Sequence, residues 1–342
     1  MKTIETYVPA RTDGNLLNAN ENSNPLDSRI QQKIAEAVSA LAFNRYPDSD
    51  QKELLAAYAD VIGVSPGQLL AGNGSDQMLG YMIGTFLGKG KTLCTLSPDF
   101  SMYDYYASSY EADVVKFKAE EDGSFRTEDF IAFAKENKAG MILFSNPNNP
   151  TGHCLPPDEI EKIAAACHDI PVVIDEAYID FADTKSSLGL IGKYKNLYLT
   201  RTLSKAYGLA ALRVGFLISS EENMKPLKQS FVPYALNSVS MKIASTVLQF
   251  AEEYKGQIAK IKSERARMYK ILKDIPGMKI FNGEANFLYG KSGEKEKLLR
   301  TLSEKNITIR DYSNTPYFRI TIGTEEENEL VLSALKQFGE EG

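Results

Sequence analysis

Between residues 91 and 218, short apolar runs of five or six residues recur, most of them running into polar or turn-forming residues: KTLCTL (91–96), DVVKF (113–117), GMILFS (140–145), PVVIDE (171–176), NLYLTR (196–201) and RVGFLI (213–218). They are too short for helices and mostly rich in Val, Ile and Leu, so they predict buried strands. Between several of them the period lengthens to that of an amphipathic helix, as in RTEDFIAFAKENK and PPDEIEKIAAACHD. The second opens with two prolines followed by acids, which suit a helix N-terminus. Strand–helix alternation of this kind predicts a mostly parallel sheet covered on both faces.

The rhythm changes after about residue 235. SMKIASTVLQFAEEYKGQIAKIKSERARMYKILKDI carries one long helical pattern, or two helices in close succession. MKIF, NFLYG, NITIR and YFRITI then read as short strands, with helical pieces around 293–304 and 325–338. The pattern divides the chain into a polar, turn-rich arm (1–28), a large α/β domain (29–235) and a smaller α+β domain (236–342). The arm is expected to pack against the small domain or a partner subunit. A length of 342 residues suits two domains.

Composition narrows the class. Hydrophobic residues make up 43% and charged residues 25%, as in a soluble protein with a large core. A net charge of -6 argues against a general nucleic-acid or anionic-membrane surface. Cys94, Cys154 and Cys167 show no CxxC spacing and are expected as free thiols in a reducing cytosol. MKTIETYVPARTDG has no apolar core, and no run approaches 18 apolar residues, so neither a signal peptide nor a membrane span is expected. The two histidines, His153 and His168, stand 15 residues apart without matching carboxylates or cysteines, so no metal site is expected.

In open α/β sheets, ligands gather at the carboxyl ends of the strands, and four stretches fall there. In AGNGSDQMLGYMIGTF (71–86), Gly72 and Gly74 allow a tight turn that puts Ser75 and Asp76 at a helix N-terminus. These residues either cap the helix or leave its N–H groups to a phosphate. No GK[ST] follows, and G-x-G-x-x-G fails at its last position. SNPNNPTG (145–152) is dense in turn residues, and its amides could also orient a ligand oxygen. VVIDEAYIDF (172–181) ends a β-branched run in Asp175 and Glu176, with Tyr178 three residues past Asp175. A carboxylate there is a cap in an exposed loop or the partner of a buried cation.

TRTLSKAYGLAALRVGF (200–216) holds Lys205 in a turn with Thr202 and Ser204, and Arg213 eight residues on. A lysine in a dry, cation-lined pocket loses proton affinity and becomes a nucleophile toward carbonyls, while the planar fork of an arginine suits a phosphate. Together the four stretches offer an amine for a Schiff base, an aspartate for a pyridinium nitrogen, a tyrosine and an asparagine for a phenolic oxygen, and a phosphate cup. That is the set pyridoxal phosphate (PLP) requires.

These motifs, with FRITIGTEEEN (318–328), LNANEN (17–22), NRYPD (44–48) and SPDFSMY (97–103), resemble the fold-type I PLP-dependent aminotransferases, most closely the histidinol-phosphate aminotransferase branch. The resemblance runs in order along nearly the whole chain. It implies an α/β large domain with a mostly parallel seven-stranded sheet, plus a smaller α+β domain. It implies that Lys205 holds PLP covalently and moves a proton at the substrate, that Asp175 keeps the ring nitrogen protonated, and that Tyr178 and Asn149 partner the ring oxygen. Gly74, Ser75, Asp76, Thr202, Ser204 and Arg213 match the phosphate-binding positions, and Phe100 the aromatic that stacks on the ring. Tyr46 matches a tyrosine that reaches the phosphate from the neighbouring subunit, which implies a homodimer with shared active sites.

On the substrate side, Arg319 matches the arginine for the α-carboxylate or the equivalent phosphate end. Arg310 and Tyr7 match positions associated with the substrate phosphate, and Asn20 lies near the substrate. Two positions depart from the branch: Phe100 stands where tyrosine is common, and GSDQ where GADE is frequent, which costs an acid at Gln77. The implied reaction converts histidinol phosphate and 2-oxoglutarate to imidazole-acetol phosphate and glutamate, in the cytoplasm, with small molecules as its only partners besides the second subunit. The alternatives are threonine-phosphate decarboxylation, aromatic amino acid transamination, or a ligand sensor fused to a DNA-binding domain. The acidic balance disfavours the last, as does the absence of room for a helix-turn-helix.

Overall fold

The structure, a computed structural model, describes residues 13–340. Its strands are β1 (Asn15–Leu17), β2 (Leu69–Asn73), β3 (Thr92–Ser97), β4 (Asp113–Lys118), β5 (Met141–Ser145), β6 (Val172–Asp175), β7 (Leu197–Thr202), β8 (Val214–Ile218), β9 (Met278–Phe281), β10 (Phe287–Ser292), β11 (Ile307–Asp311) and β12 (Tyr317–Thr321). The seven strands β2 to β8 form one sheet in the order β2-β8-β7-β6-β5-β3-β4. Its neighbours run parallel except for β8, which is antiparallel to both β2 and β7.

Both faces of this sheet are covered, which is why its central strands are apolar throughout rather than alternating. Along β5, Met141 and Leu143 join a core beneath the helices Gly74–Phe86 and Met102–Ser109, while Ile142 and Phe144 join the core on the other face. The edge strand β4 is less deeply covered, with Val114 against one core and Val115 and Phe117 against the other, and is largely half-exposed.

The six runs predicted in this part of the chain all appear, shifted by a residue or so. The seventh strand, β2, lies in LLAGN, where a short apolar pair runs straight into a glycine turn and leaves little periodicity to read.

The second sheet has five strands in the order β1-β11-β12-β10-β9. β1 comes from the segment expected to be only polar and turn-rich. Its three residues pair in parallel with β11, Asn15 opposite Ile307 and Leu17 opposite Ile309. The long helical pattern resolves into two helices, Ser238–Leu248 and Ala251–Leu272, separated at Gln249 and Phe250. The first packs on the helices Ser28–Ser39 and Lys52–Ile62. No helix among the described residues is long and apolar enough to cross a membrane.

This topology makes the site. β3, β5, β6 and β7 run in one direction and β2 shares it, so their carboxyl ends open at one edge. SPDFSMY, SNPNNPTG, the Asp175–Tyr178 segment, the Lys205 turn and the Gly74 turn all emerge there, and Arg213 enters β8 from the same edge.

Candidate active site

Asp175 closes β6 and is buried. Its Oδ2 accepts from the Tyr103 hydroxyl and its Oδ1 from the Thr200 hydroxyl, each at 2.9 Å. Burial pushes its carboxyl up to about 6, against the pull of those two donors. Its oxygens therefore meet hydroxyls rather than a cation, and the buried charge awaits a positive group.

The neighbouring Glu176 has the opposite fate. Its carboxylate takes Arg201 Nε at 3.0 Å and Nη2 at 2.8 Å, with Ser186 and the Ser187 amide, all buried or nearly so. Of the two readings open for the Asp175–Glu176 pair, buried-cation partner applies to Glu176.

Lys205 leaves β7 in the Thr202–Ser204 turn, where Thr202 Oγ1 takes the Ser204 amide at 3.1 Å. Its ammonium donates to the Ala19 carbonyl at 2.9 Å and lies 5.9 Å from the centre of the Tyr178 ring. Burial, with the guanidinium of Arg319 in second place, pulls its pKa down to about 8. A sizeable neutral fraction is thus present in weakly alkaline water.

The Tyr178 hydroxyl accepts from Asn20 Nδ2 at 2.9 Å and from Asn149 Nδ2 at 3.5 Å, and burial raises its pKa to about 12. Asn149 Oδ1 in turn accepts from Arg319 Nη1, whose Nη2 donates to the Asn18 carbonyl at 2.9 Å. The Arg319 Nε is buried without a hydrogen-bond partner, and the guanidinium sits 5.1 Å from the centre of the Phe287 ring. A buried donor left open is costly, so Arg319 is set up to receive an acceptor. Arg310 lies directly opposite Arg319 across β11 and β12, its guanidinium 5.8 Å from the Tyr312 ring centre.

The phosphate-cup residues come together as well. The helix Gly74–Phe86 begins without a side-chain cap, so neither Ser75 nor Asp76 caps it. Asp76 instead accepts from Arg213 Nη2 at 2.8 Å, and Arg213 Nη1 approaches Ser204 Oγ at 3.4 Å. Both members of that pair are partly exposed, so the guanidinium can be shared with a ligand. An uncapped helix N-terminus beside an arginine and two hydroxyls is a ready anion site.

Phe100 lies edge-on to Tyr103, with ring centres 5.6 Å apart. Tyr46 stands apart from these bonds: it is 83% exposed and stacks on Tyr234 with ring centres 4.8 Å apart. Tyr7 lies outside the described residues.

Sequence reasoning missed Tyr103 and Thr200 as the donors to Asp175. Thr200 is its register partner on β7, a signal that exists only once the strands are aligned. It also missed Asp99, whose carboxyl takes the Phe100 amide at 2.7 Å and the Ser145 amide and hydroxyl, and which burial pushes up to about 8. The residues fit a phosphorylated pyridine aldehyde: a buried carboxylate without a cation, a low-pKa amine, a phenol–amide pair and an open anion cup.

The family model for aminotransferase class I and II matches residues 12–335. The chain belongs to this family. This aminotransferase is 37% identical to the histidinol-phosphate aminotransferase of Clostridium novyi (strain NT), over 98% of this chain and 96% of that protein. It is 34% identical to the one from Chlorobaculum tepidum, over 98% of each. Among solved structures it superposes on the histidinol-phosphate aminotransferase of Sinorhizobium meliloti in complex with pyridoxal-5'-phosphate, with a TM-score of 0.86 and 22% identity, over 96% of this chain and 91% of that one. The L-threonine-O-3-phosphate decarboxylase of Porphyromonas gingivalis gives 0.81 and 24%, over 95% and 99%. At those identities the structural likeness speaks for the fold, a PLP-dependent transferase of type I with a mostly parallel seven-stranded sheet.

Proposed function

We propose that this aminotransferase uses PLP to move the amino group of histidinol phosphate to 2-oxoglutarate, giving imidazole-acetol phosphate and glutamate. The observation that carries the reading is the amine of Lys205, 5.9 Å from the Tyr178 ring and at the same strand ends as Asp175, with its pKa lowered to about 8 by burial and the charge of Arg319. The extended relatives at 34–37% identity support the choice of substrate.

When bound, PLP supplies a carbonyl for amines and a protonated ring that draws electrons from the substrate α-carbon. Asp175, held by Tyr103 and Thr200, would supply the negative charge for the ring nitrogen. Tyr178 and Asn149 would donate to the ring oxygen, and Phe100 would offer an aromatic surface to the ring. The uncapped helix at Gly74, Ser75 and Asp76, with Thr202, Ser204 and Arg213, would hold the phosphate. Lys205 takes up and returns the proton at the substrate α-carbon. Arg319 and Arg310 bind the anionic ends of the two substrates, which suits a phosphate monoester and a dicarboxylic acid, and Asn20 lines the same end.

We read the chain as an arm (1–28), a large domain (29–235) and a small domain (236–342), paired in a cytoplasmic homodimer in which Tyr46 completes the partner's phosphate site. The exposure of Tyr46 supports that role.

The test is a single-turnover experiment on the PLP-loaded protein with histidinol phosphate and no keto acid. The cofactor's visible absorbance is expected to be lost rapidly and restored by 2-oxoglutarate. Loss with an aromatic amino acid instead, or CO₂ released from threonine phosphate, moves the substrate and overturns this choice.

A further inference from the structure

The turn between β9 and β10, residues 282–286, reaches out of the small sheet to the large-sheet loops that carry Asn149 and Tyr178. Gly152 (φ 78°) and Gly283 meet backbone against backbone: a Cβ on either would lie 2.9 or 2.8 Å from the other's Cα. That approach lets the Glu284 amide donate to the Gly152 carbonyl at 2.7 Å, which ties the turn to SNPNNPTG three residues past Asn149.

The Glu284 side chain grips the other loop. Its Oε2 accepts from the Asp183 and Thr184 amides, each at 2.8 Å, and its Oε1 from the Thr184 hydroxyl at 2.9 Å. Arg265, buried on the helix Ala251–Leu272, holds the Phe181 and Ala285 carbonyls with one nitrogen at 3.0 and 2.9 Å. Lys262 adds the Ala182 carbonyl at 2.9 Å. The segment 181–184 begins three residues after Tyr178. From the same turn, Asn286 donates to the Asn20 carbonyl at 3.1 Å, and Phe287 meets Tyr178 edge-on at 5.2 Å while carrying the Arg319 guanidinium on its face.

The turn and the start of β10 thus contact Asn20, Tyr178 and Arg319 directly and hold the backbone three residues past Asn149. Resting on the aminotransferase reading above, we propose that Glu284 is a positioning residue that clasps the 182–184 loop to the small sheet, so that Tyr178 and Asn149 are aligned with Arg319 as one unit. A carboxylate accepting three donors makes charge-assisted bonds, stronger than those between neutral groups. Small displacements of aligned groups cost large factors in rate.

The test uses the full-length, PLP-loaded protein and the variants Glu284→Ala, Glu284→Gln and Thr184→Val. Hydrogen exchange is read at the amides of residues 183 and 184, and the amino-donor half-reaction is read by single turnover. Arg267→Ala, which loses a pair with Glu264 on the helix surface, is the stability control. For Glu284→Ala, exchange at 183 and 184 is expected to accelerate at least tenfold, about the effect of losing a local clasp. The half-reaction is expected to slow roughly tenfold, in line with a small misplacement. Thr184→Val, the variant to use if Glu284→Ala does not fold, moves both readouts less but in the same direction. Glu284→Gln, whose amide oxygen still accepts both backbone N–H groups, recovers most of both. Arg267→Ala lowers the melting temperature and moves neither.

Unchanged exchange overturns the clasp, and faster exchange with an unchanged half-reaction overturns its coupling to the site. A wild-type protein with no half-reaction toward any amino donor defeats the aminotransferase reading instead, and the exchange data still decide the clasp.

Discussion

Arg319 and Tyr178 meet at a single amide: Asn149 takes the guanidinium on its oxygen and turns its nitrogen toward the phenol, 3.5 Å away. The cation fixes which way the amide points, because only the oxygen can accept from it. The guanidinium proposed to bind substrate and the hydroxyl proposed to face the cofactor are thus oriented by one side chain. Replacing Asn149 by Asp sets a carboxylate against Arg319 and neutralises the charge meant for an incoming anion. The expected result is a KM for the amino donor raised on the order of a hundredfold, the scale of losing a charged hydrogen bond. Asn149→Ala, which leaves Arg319 cationic, raises KM less, while both variants lower kcat because each removes the amide N–H that faces the Tyr178 hydroxyl. Steady-state kinetics on both variants decide it; equal KM values would remove Asn149 from the role.

Asp175 and Asp99 give the protein without cofactor a distinctive response to pH. Burial raises the two carboxyls to about 6 and about 8, from the ordinary 3.8. Between about pH 4 and those values the folded chain keeps protons that the unfolded chain has lost. Stability therefore falls as pH rises through this window. Urea unfolding from pH 5 to pH 9 is expected to show that fall in the PLP-free protein. Asp99→Asn abolishes the fall between about pH 6 and 8, where only Asp99 of the two contributes, and halves it below pH 6, whereas Asp175→Asn weakens the fall below pH 6 and leaves the part above it unchanged. A stability flat with pH in the unsubstituted protein would contradict the burial of both groups.

Lys205 works in the opposite direction. Its pKa of about 8 lies below the ordinary 10.5, so the unfolded chain holds more protons between those values, and stability rises with pH there. Below pH 8 the cost of burying the charge is fully present. Lys205→Met is expected to abolish transamination, yet stabilise the PLP-free protein at pH 7 by on the order of 1–3 kcal/mol, less what the lost bond to Ala19 contributes. The advantage closes as pH approaches 10.5. Urea midpoints at pH 7 and pH 10 check it, and a variant less stable at both would show that the ammonium is well accommodated.

What the chain disclosed in advance follows from where information is local. Strands buried on both faces leave unbroken apolar runs, so β3 and β5 to β8 were legible, and the half-exposed β4 was legible from the short run in DVVKF. β1, three residues long, is a strand only because Ile307–Ile309 lies beside it. The site loops carry their chemistry in short dense motifs, and the structure gathers Lys205, Asp175, Tyr178, Asn149, Asn20 and Arg319 within them. The groups that hold those residues were not legible. Thr200 reaches Asp175 through strand register, Arg201 reaches Glu176 across the β6–β7 ladder, and Glu284 reaches Thr184 over 100 residues of chain. Each is a pairing, and a pairing has no signature in either partner alone.

Tyr46 offers the sharpest test of the proposed dimer. Its ring is 83% exposed and stacks on Tyr234, with Phe43 and Val232 also exposed. An aromatic cluster of this kind suits burial against a second copy. If Tyr46 serves the phosphate site of the partner, each site contains Lys205 of one chain and Tyr46 of the other. Tyr46→Ala and Lys205→Ala homodimers are then each impaired, the second completely. After equal mixing and subunit exchange, half the dimers are mixed, and one of the two sites in each is intact. Activity should therefore recover to about a quarter of the wild-type value plus a quarter of what the Tyr46→Ala homodimer retains, as a twofold-symmetric dimer requires. If each chain instead built its site from its own Tyr46, every mixed dimer would carry one Lys205→Ala site and one Tyr46→Ala site. Mixing would then give only the average of the two parents. The recovered fraction thus distinguishes a shared site from a self-contained one.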